Sequence, residues 1–254
     1  MNDWLLSVMW YGSLLAVALA LLALLRPLVK LQLTLRPIPA IVLGVALLTI
    51  GLLIWLAPGD RTIASESTAL DHAVPTYQFR EFHTRTIDAP ADRVRRALKD
   101  VTAGEIALFQ LFTTVRRLGR SAPEGILNAP SDRPILDVAT RSGFIVLADT
   151  DRELTLGAVV AAPRELRRSA EKLDANWFNA VTIAGIAKAG MNFVVEPDGP
   201  ARTTLTTETR VFATDRRTLR AFTAYWRTIF PGSWILRVTW LNAIARRAEA
   251  TPGG

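Results

Sequence analysis

Two long runs of apolar residues without a single charge occupy most of the first sixty positions. Trp4–Leu25 spans 22 residues and Pro37–Gly59 spans 23. A helix rises about 1.5 Å per residue, so each run is long enough to cross the roughly 30 Å hydrocarbon core of a bilayer. The pattern therefore predicts two membrane-spanning helices, over about 4–25 and 37–58, that together form an anchor at 1–58.

The short loop between the two runs predicts their orientation. It carries Arg26, Lys30 and Arg36, whereas the outer flanks are neutral to acidic. Because basic loops stay on the cytoplasmic side, we expect a two-pass integral membrane protein whose soluble domain is extracytoplasmic. A cleaved signal peptide is disfavoured, since Asn2 and Asp3 stand where such a peptide carries basic residues.

Beyond the anchor, the hydrophobic pattern becomes that of a folded domain over 77–250. Residues 59–76 are small and polar, and they are interpreted as a polar linker. Residues 77–88 are rich in aromatic and β-branched side chains, which predicts a strand, and Asp88 can cap a short helix after it. A second helix is expected to open at Thr102, because Thr102 and Glu105 have the spacing of a capping box.

In the middle of the domain, apolar and polar residues alternate along the chain, which predicts further strands. The expected strands are 144–148, 153–160, 177–187, 189–196 and 203–213. The last two form a hairpin across the turn Pro197-Asp-Gly-Pro. A helical turn is expected at 135–142, and an amphipathic helix at 163–174 is inserted between the strands.

The chain ends in a helical pattern over Arg216–Glu249. Pro231 lacks an amide hydrogen and is followed by Gly232, so a break is predicted there. Beyond the break, the expected buried positions are Ile235, Val238, Leu241 and Ala245. Several antiparallel strands followed by a long helix make the fold class α+β.

Composition removes several classes of function. The chain has no cysteine and two histidines, which excludes disulfides, thiolate metal sites, cysteine nucleophiles and a histidine-rich metal centre. The first 76 residues hold four charges of each sign, so the net charge of +7 lies in residues 77–254. No long basic tract occurs, so nucleic acid is not expected as a partner; the excess fits either an anionic lipid surface or a plain solvated surface.

Three short matches accompany this order of elements. They are Ile87-Asp-Ala-Pro-Ala-Asp-Arg-Val94 at the start of the first domain helix, Thr207-Glu-Thr-Arg-Val211 in a late strand, and Tyr225-Trp-Arg with Pro231-Gly-Ser in the last helix. On these features the domain resembles the START-like superfamily, also called SRPBCC or polyketide cyclase/dehydrase and lipid transport proteins. The resemblance implies a helix-grip fold, in which a curved antiparallel sheet wraps the C-terminal helix around a cavity for a hydrophobic ligand.

The resemblance also implies where such a ligand would lie. The candidates lie at alternate strand positions that are expected to point inward, or on one face of the last helix. All are apolar except one histidine, and they are Phe79, His83, Met191, Phe193, Phe222 and Trp226. Glu208 and Arg210 lie two apart on one strand face and are candidates for a polar headgroup, although an exposed pair of this kind would add little stability. The alternative for the first six residues is a structural role in the core, and for Glu208 and Arg210 it is a structural pair with each other.

Three functional hypotheses follow from the sequence. The first is a membrane-anchored module that binds a lipid or another apolar small molecule. The second is a cyclase- or dehydratase-like enzyme that uses His83 as acid or base, and the third is an interaction module with a filled core. No nucleophile elbow, phosphate-binding loop or metal motif is present. No catalytic residue, metal or cofactor is therefore assigned.

Overall fold

The computed structural model describes residues 2–25, 37–116, 128–163 and 174–250. These residues form two compact units. The first, called the anchor unit, contains helices α1 (Asp3–Leu25) and α2 (Pro37–Trp55) together with the segment Leu219–Pro231. The second, called the sheet unit, contains the remaining elements.

The two helices predicted from the apolar runs are present in the anchor unit. By length and composition, α1 and α2 are both candidate membrane spans. Leu6 and Trp10 of α1 pack against Leu53 of α2. Since Leu6 lies near the start of one helix and Leu53 near the end of the other, the two helices run antiparallel.

The sheet unit is built on five antiparallel strands. They are β3 (Phe79–Ile87), β4 (Ile145–Asp149), β5 (Glu153–Ala161), β6 (Ala187–Pro197) and β7 (Thr203–Ala213), in the spatial order β3–β7–β6–β5–β4. The predicted hairpin is confirmed, because β6 and β7 pair from Ala187 with Ala213 down to Pro197 with Thr203. These two strands lie inside the sheet, and most of their side chains are buried on both faces, except at the end of β6, where Glu196 and Pro197 are exposed.

Residues 59–76, expected to be a linker, belong to the sheet unit. This segment forms strand β1 (Arg61–Thr62) and helix α3 (Ala69–Ala73), and it ends in strand β2 (Thr76–Tyr77). Leu70 is fully buried. Gly190 of β6 permits this close packing, because a Cβ atom there would lie 2.6 Å from Leu70 Cδ1. The polar composition suggested a tether, but its few apolar residues are enough to fix the segment to the sheet.

The helices after β3 agree with the prediction in one case and differ in another. α4 (Ala91–Asp100) lies where a helix was expected. The next helix, α5 (Phe109–Arg116), begins later than the predicted start at Thr102. Glu105 Oε2 accepts hydrogen bonds from the Thr102 amide at 2.8 Å and hydroxyl at 3.0 Å. The left-handed backbone of Leu108 (φ 62°) ends that turn, so the capping-box residues close a turn rather than open a helix.

Two further short helices flank the later strands. α6 (Ile135–Arg141) confirms the helical turn expected at 135–142. The strand expected at 177–187 is wrong, because α7 (Ala175–Ala180) occupies its first part. Asp174 caps α7 by accepting from the Trp177 amide at 2.8 Å, and this local cap outweighs the strand-like composition. Most of the helix expected at 163–174 lies outside the described residues.

The last helix, α8 (Arg216–Glu249), runs through Pro231 without the predicted break. A proline removes one backbone hydrogen bond, and a long helix that is held on both sides of it can tolerate the loss. The buried residues beyond Pro231 include the expected Leu241 and Ala245, but Ile235 and Val238 are only partly buried. Because the helix is unbroken, the residues that face the core differ from those expected for a helix that restarts after Pro231. The other buried residues of this part are Trp240, Ala243, Ile244 and Ala248.

Candidate functional site

One face of the sheet carries a cluster of polar side chains beneath α8. We call it the inner face; it is the face of Phe79, Glu81 and His83, whose side chains share one side because strand residues alternate with period two. All three are buried. Directly across the β3–β7 pairing, Glu81 lies opposite Thr209. The inner face therefore combines an apolar position with a carboxyl group and an imidazole that are both removed from water.

Glu81 is the centre of this cluster. Its Oε1 lies 2.9 Å from His83 Nε2, and its Oε2 accepts a hydrogen bond from Ser233 Oγ of α8 at 2.8 Å. An ionised carboxylate can only accept, so His83 then donates its Nε2 proton to Glu81. The Trp234 ring lies edge-on to the imidazole, with the ring centroids 5.5 Å apart. Glu81 and His83 together can hold a proton and pass it between them.

The arrangement is not that of a nucleophilic serine site. In such a site the imidazole lies between the serine hydroxyl and the acid. Here the Ser233 hydroxyl donates to Glu81 itself. Ser233 therefore fixes the orientation of the carboxyl group and is not activated by His83.

Arg237 of α8 brings a cation to the same cluster. Its Nη2 donates to Thr209 Oγ1 at 2.9 Å, whereas Nη1 is buried and has no hydrogen-bond partner among the described residues. Burial lowers the pKa of Arg237, and the charge of Glu81 partly opposes this. One edge of a buried guanidinium is thus left without an acceptor.

A second buried donor lies beside the first. Trp240 Nε1 also lacks a partner within the described part of the chain. The Arg237 guanidinium carbon lies 5.4 Å from the centroid of the Trp240 ring. Buried donors are nearly always satisfied in folded proteins, so two orphaned donors on adjacent side chains mark a position suited to an oxygen acceptor.

The apolar surroundings of these donors are tightly filled. Met191 and Phe193 of β6 are buried on the inner face, and the Phe193 ring lies 5.1 Å from the Trp240 ring. Two clefts are seen elsewhere among the described residues. One, of about 470 Å³, lies beside Arg95 and Arg152 at one end of the sheet, and the other, of about 400 Å³, lies between α1 and α2. Neither cleft is lined by a residue of the inner-face cluster.

Four of the eight candidates from the sequence lie on the inner face: Phe79, His83, Met191 and Phe193. Phe222 and Trp226 belong instead to the anchor unit. There the Trp226 ring lies 6.2 Å from the Phe222 ring and 5.8 Å from the Phe230 ring. Sequence reasoning assigned the whole first half of the last helix to the cavity, but the helical spacing could not show that this part packs within a different unit.

Glu208 and Arg210 lie on the opposite face of the sheet, called the outer face. Even-numbered residues of β7 point away from Thr209, so these two cannot meet the inner-face cluster. They were expected to be an exposed pair, yet Glu208 is 9% exposed and Arg210 6%. Arg210 Nε donates to Glu208 Oε1 at 2.6 Å, and Arg80 Nε donates to the same oxygen at 2.7 Å. The packing of α3 over this face removes the pair from water.

The outer-face network attaches α3 to the sheet. Asp71 of α3 forms an ion pair with Arg210 Nη2 at 2.8 Å. Burial by itself would raise the pKa of Asp71, but hydrogen bonds from Ser67, Thr68 and Arg210 outweigh it and lower the pKa to about 2. Burial likewise opposes, without reversing, the lowering of the Glu208 pKa by its two arginine partners. Because its carboxylates and cations are mutually satisfied, this network is structural.

Several members of the inner-face cluster were missed by sequence reasoning: Glu81, Thr209, Ser233, Arg237 and Trp240. Glu81 could have been found, since it shares the strand parity of Phe79 and His83. Ser233, Arg237 and Trp240 recur at helical spacing, but the predicted break at Pro231 set the wrong phase for that helix. Thr209 follows once the pairing of β3 with β7 is known.

Comparison with known proteins gives little beyond these observations. No family model matches the chain, and no curated protein matches it. A solved structure, the Zhui aromatase/cyclase from Streptomyces sp. R1128, is 15% identical, with a TM-score of 0.28. The match covers 69% of this chain and 99% of that protein. At this degree of similarity, the α+β description rests on the strands and helices of the chain itself.

The lowered pKa of Asp71 predicts a pH-dependent effect of Asp71→Asn. The unfolded value is 3.8 and the folded value about 2, so the ionised form stabilises the fold above pH ~4, and this contribution is lost as the pH falls towards 2. It amounts to about 2 kcal/mol. In detergent-solubilised full-length protein, the free energy of unfolding should differ most between the variant and the wild type above pH ~4, and the two should converge near pH 2. The exposed Asp132→Asn is the matched control, and a pH-independent difference would contradict the assignment.

Proposed function

We propose that the chain is a membrane-anchored module that binds an amphipathic small molecule in the sheet unit. The polar end of the ligand accepts hydrogen bonds from Arg237 and Trp240, and its apolar part lies along the inner face of the sheet. The ligand class is therefore a lipid or a similar apolar molecule that ends in a carboxylate, phosphate or carbonyl group.

The two orphaned donors are the observation that carries the proposal. Leaving a buried donor unsatisfied costs about 1–3 kcal/mol, and more when the group is charged. Among the residues that the structure describes, neither Arg237 Nη1 nor Trp240 Nε1 has a hydrogen-bond partner. A ligand oxygen placed between them would recover that free energy, and a carboxylate or phosphate would also compensate the buried charge of Arg237.

The residues around the donors support an apolar ligand body. Met191 and Phe193 belong to the same core cluster as Trp240, together with Leu154 and Leu156. Because these side chains fill the interior, uptake requires some of them to move. Trp234 is the most suitable, since it is 37% exposed and sits against His83 at the edge of the cluster.

The anchor supports a membrane source for such a ligand. α1 and α2 are long and apolar enough to span a bilayer, and the net positive charge outside them suits an anionic lipid surface. In this proposal the basic loop at 26–36 stays in the cytoplasm, and the sheet unit lies on the other side of the membrane.

Removing single donors should reduce ligand retention in a graded way. Trp240→Phe keeps the ring and loses one N–H, so retention should fall by up to about tenfold. Arg237→Met removes a charged donor and should reduce retention further. The measurement is native mass spectrometry of the full chain, released from detergent, with solvent extraction of the bound molecule. Trp177→Phe, whose ring packs on the outer face, is the control. Equal retention in all four proteins would contradict the proposal, and a clean apo mass of folded wild type would favour a filled-core interaction module.

A second candidate function is supported by the Glu81–His83 pair. A buried carboxyl group and imidazole 2.9 Å apart can deliver and remove a proton, as a cyclase- or dehydratase-like enzyme requires. The pair lies beside Arg237 and Trp240, so a carbonyl group held by those donors would lie close to the acid–base groups. In such an enzyme, ligand binding and proton transfer would both occur on the inner face of the sheet.

His83→Gln distinguishes the enzyme from the binding module. The substitution keeps a polar side chain but removes the titratable ring. If the protein is a dehydratase-like enzyme, the molecule extracted from the variant should be heavier by one water than the molecule extracted from the wild type. Identical extracted molecules, in equal amounts, would remove the catalytic assignment and leave the binding module intact.

A further inference from the structure

The cleft of about 470 Å³ beside Arg95 and Arg152 lies wholly within the sheet unit, and we call it the end cleft. One wall is the start of α4, and the other consists of the turn between β4 and β5 together with the end of β6. Small-molecule sites in proteins occupy about 300–1,000 Å³. The end cleft is therefore large enough for an organic molecule, and the inner-face cluster does not contribute to it.

The wall formed by the β4–β5 turn is fixed in place by hydrogen bonds. The Val195 amide of β6 donates to the Arg152 carbonyl at 2.8 Å. Within the turn, the Thr150 amide donates to the Glu153 carbonyl at 2.8 Å. The Arg152 side chain adds a further bond, because its Nη2 donates to Glu196 Oε1 at 2.9 Å. These bonds hold the turn against β6, so the end cleft does not require a side chain to move aside.

The interior of the end cleft is mostly apolar. Ala91 of α4 lines one side, and Val195 and Pro197 of β6 line the other. Val195 is 2% exposed and belongs to the main core cluster of the sheet unit, so the end cleft reaches down to the core. A ligand with an apolar body would gain free energy by removing its surface from water at these residues.

Arg95 supplies a hydrogen-bond donor at the end cleft. Its side chain lines the cleft, and its Nη2 donates to Asp149 Oδ1 at the end of β4. Lys99 Nζ donates to the other oxygen of the same carboxylate at 3.0 Å. Arg95 Nη1 is buried and has no hydrogen-bond partner within the described part of the chain. A buried donor in this condition is costly, and an acceptor oxygen on a bound molecule would satisfy it.

The charges around the end cleft favour an uncharged ligand. The positive charge of Arg95 is already compensated by Asp149. At the rim, Arg152 is paired with Glu196. Asp151 also lines the cleft; it is exposed and forms no ion pair with another described residue, so its carboxylate would repel an anion. A neutral carbonyl oxygen therefore suits Arg95 Nη1 better than a carboxylate or a phosphate does.

We propose that the end cleft binds an uncharged apolar molecule that carries a carbonyl group. The carbonyl oxygen accepts a hydrogen bond from Arg95 Nη1, and the apolar body lies against Ala91 and Val195. The ligand class comprises esters, amides and ketones of small size. This second site is separate from the donors of Arg237 and Trp240, and it depends neither on a ligand at the inner face nor on the membrane.

Photochemical labelling with benzophenone tests this proposal. Benzophenone is apolar and has one carbonyl oxygen, and on irradiation it inserts into nearby C–H bonds. With the full chain in nanodiscs and the probe below saturation, tandem mass spectrometry should locate adducts at Ala91, Val195 or Pro197. Arg95→Lys keeps the positive charge but removes Nη1, so these adducts should fall about tenfold. Arg96→Lys, at an exposed position of the same helix, is the matched control. Equal yields in the two variants, or no adduct at these positions in the wild type, overturn the proposal.

A variant that fills the end cleft leaves the ion pair of Arg95 untouched. Ala91→Phe places a ring in the cleft and should abolish the adducts at Val195, whereas Ala201→Phe, at an exposed position between β6 and β7, should not. In the wild type, acetophenone should compete with the probe, and ethylbenzene, which has a similar shape without the oxygen, should not. Undiminished adducts in Ala91→Phe, or equal competition by the two compounds, overturn the proposal.

Trp240→Phe separates the end cleft from the inner face. The substitution removes a donor of the inner-face site and should leave the adducts at Val195 unchanged. An equal loss of these adducts in Trp240→Phe and in Arg95→Lys would mean that the probe reaches Val195 from the inner face, and it would overturn the second site. Failure of ligand retention at the inner face, by contrast, leaves the labelling of the end cleft as it is.

Discussion

Because β6 and β7 lie inside the five-stranded sheet and other elements cover both of its faces, most of the side chains that they carry are removed from water, whichever face they point to; Glu196 and Pro197 at the end of β6 are exposed. That constraint governs the sheet unit. Charged and polar residues on these strands must find partners within the fold, since an unpaired buried charge costs several kcal/mol. The elements that cover the two faces are therefore selected as much by the polar groups they bring as by their apolar surface. α3 brings Asp71 to one face, and α8 brings Ser233 and Arg237 to the other.

The two faces meet the constraint differently. On the outer face, Arg210 is held by Glu208 and Asp71, and Lys188 donates to three backbone carbonyls, so the network is closed. On the inner face, Glu81 is satisfied by His83 and Ser233, but one donor of Arg237 and the indole N–H of Trp240 find no partner in the part of the chain that the structure describes. A fully satisfied network rigidifies a fold, whereas an open one leaves costly unpaired donors, and we propose that a ligand atom pairs with them here. This contrast separates the structural cluster from the candidate site, although both are buried and charged.

The apolar runs of α1 and α2, the β6–β7 hairpin and the long last helix could all be predicted, because each is encoded by a local pattern of many residues. The attachment of residues 59–76 could not, since it depends on Leu70 meeting Gly190, far away in sequence. The same holds for Arg237, whose role appears only when β7 places Thr209 beside it. Pro231 misled the prediction for a local reason: a proline usually ends a helix, and here the residues on both sides hold the helix in place. Strand parity nevertheless identified His83, and it would equally have identified Glu81.

In the proposed binding module, the indole N–H of Trp240 is held for an acceptor that the described residues do not supply. The most direct test is the indole N–H spectrum of the full chain, labelled with ¹⁵N-tryptophan, in nanodiscs before and after solvent extraction of bound small molecules, with the resonance assigned through Trp240→Phe. We expect the Trp240 proton to resonate downfield and to exchange slowly in the protein as purified, and we expect both properties to be lost on extraction while the Trp177 resonance is unchanged. An identical Trp240 resonance in both samples would contradict it.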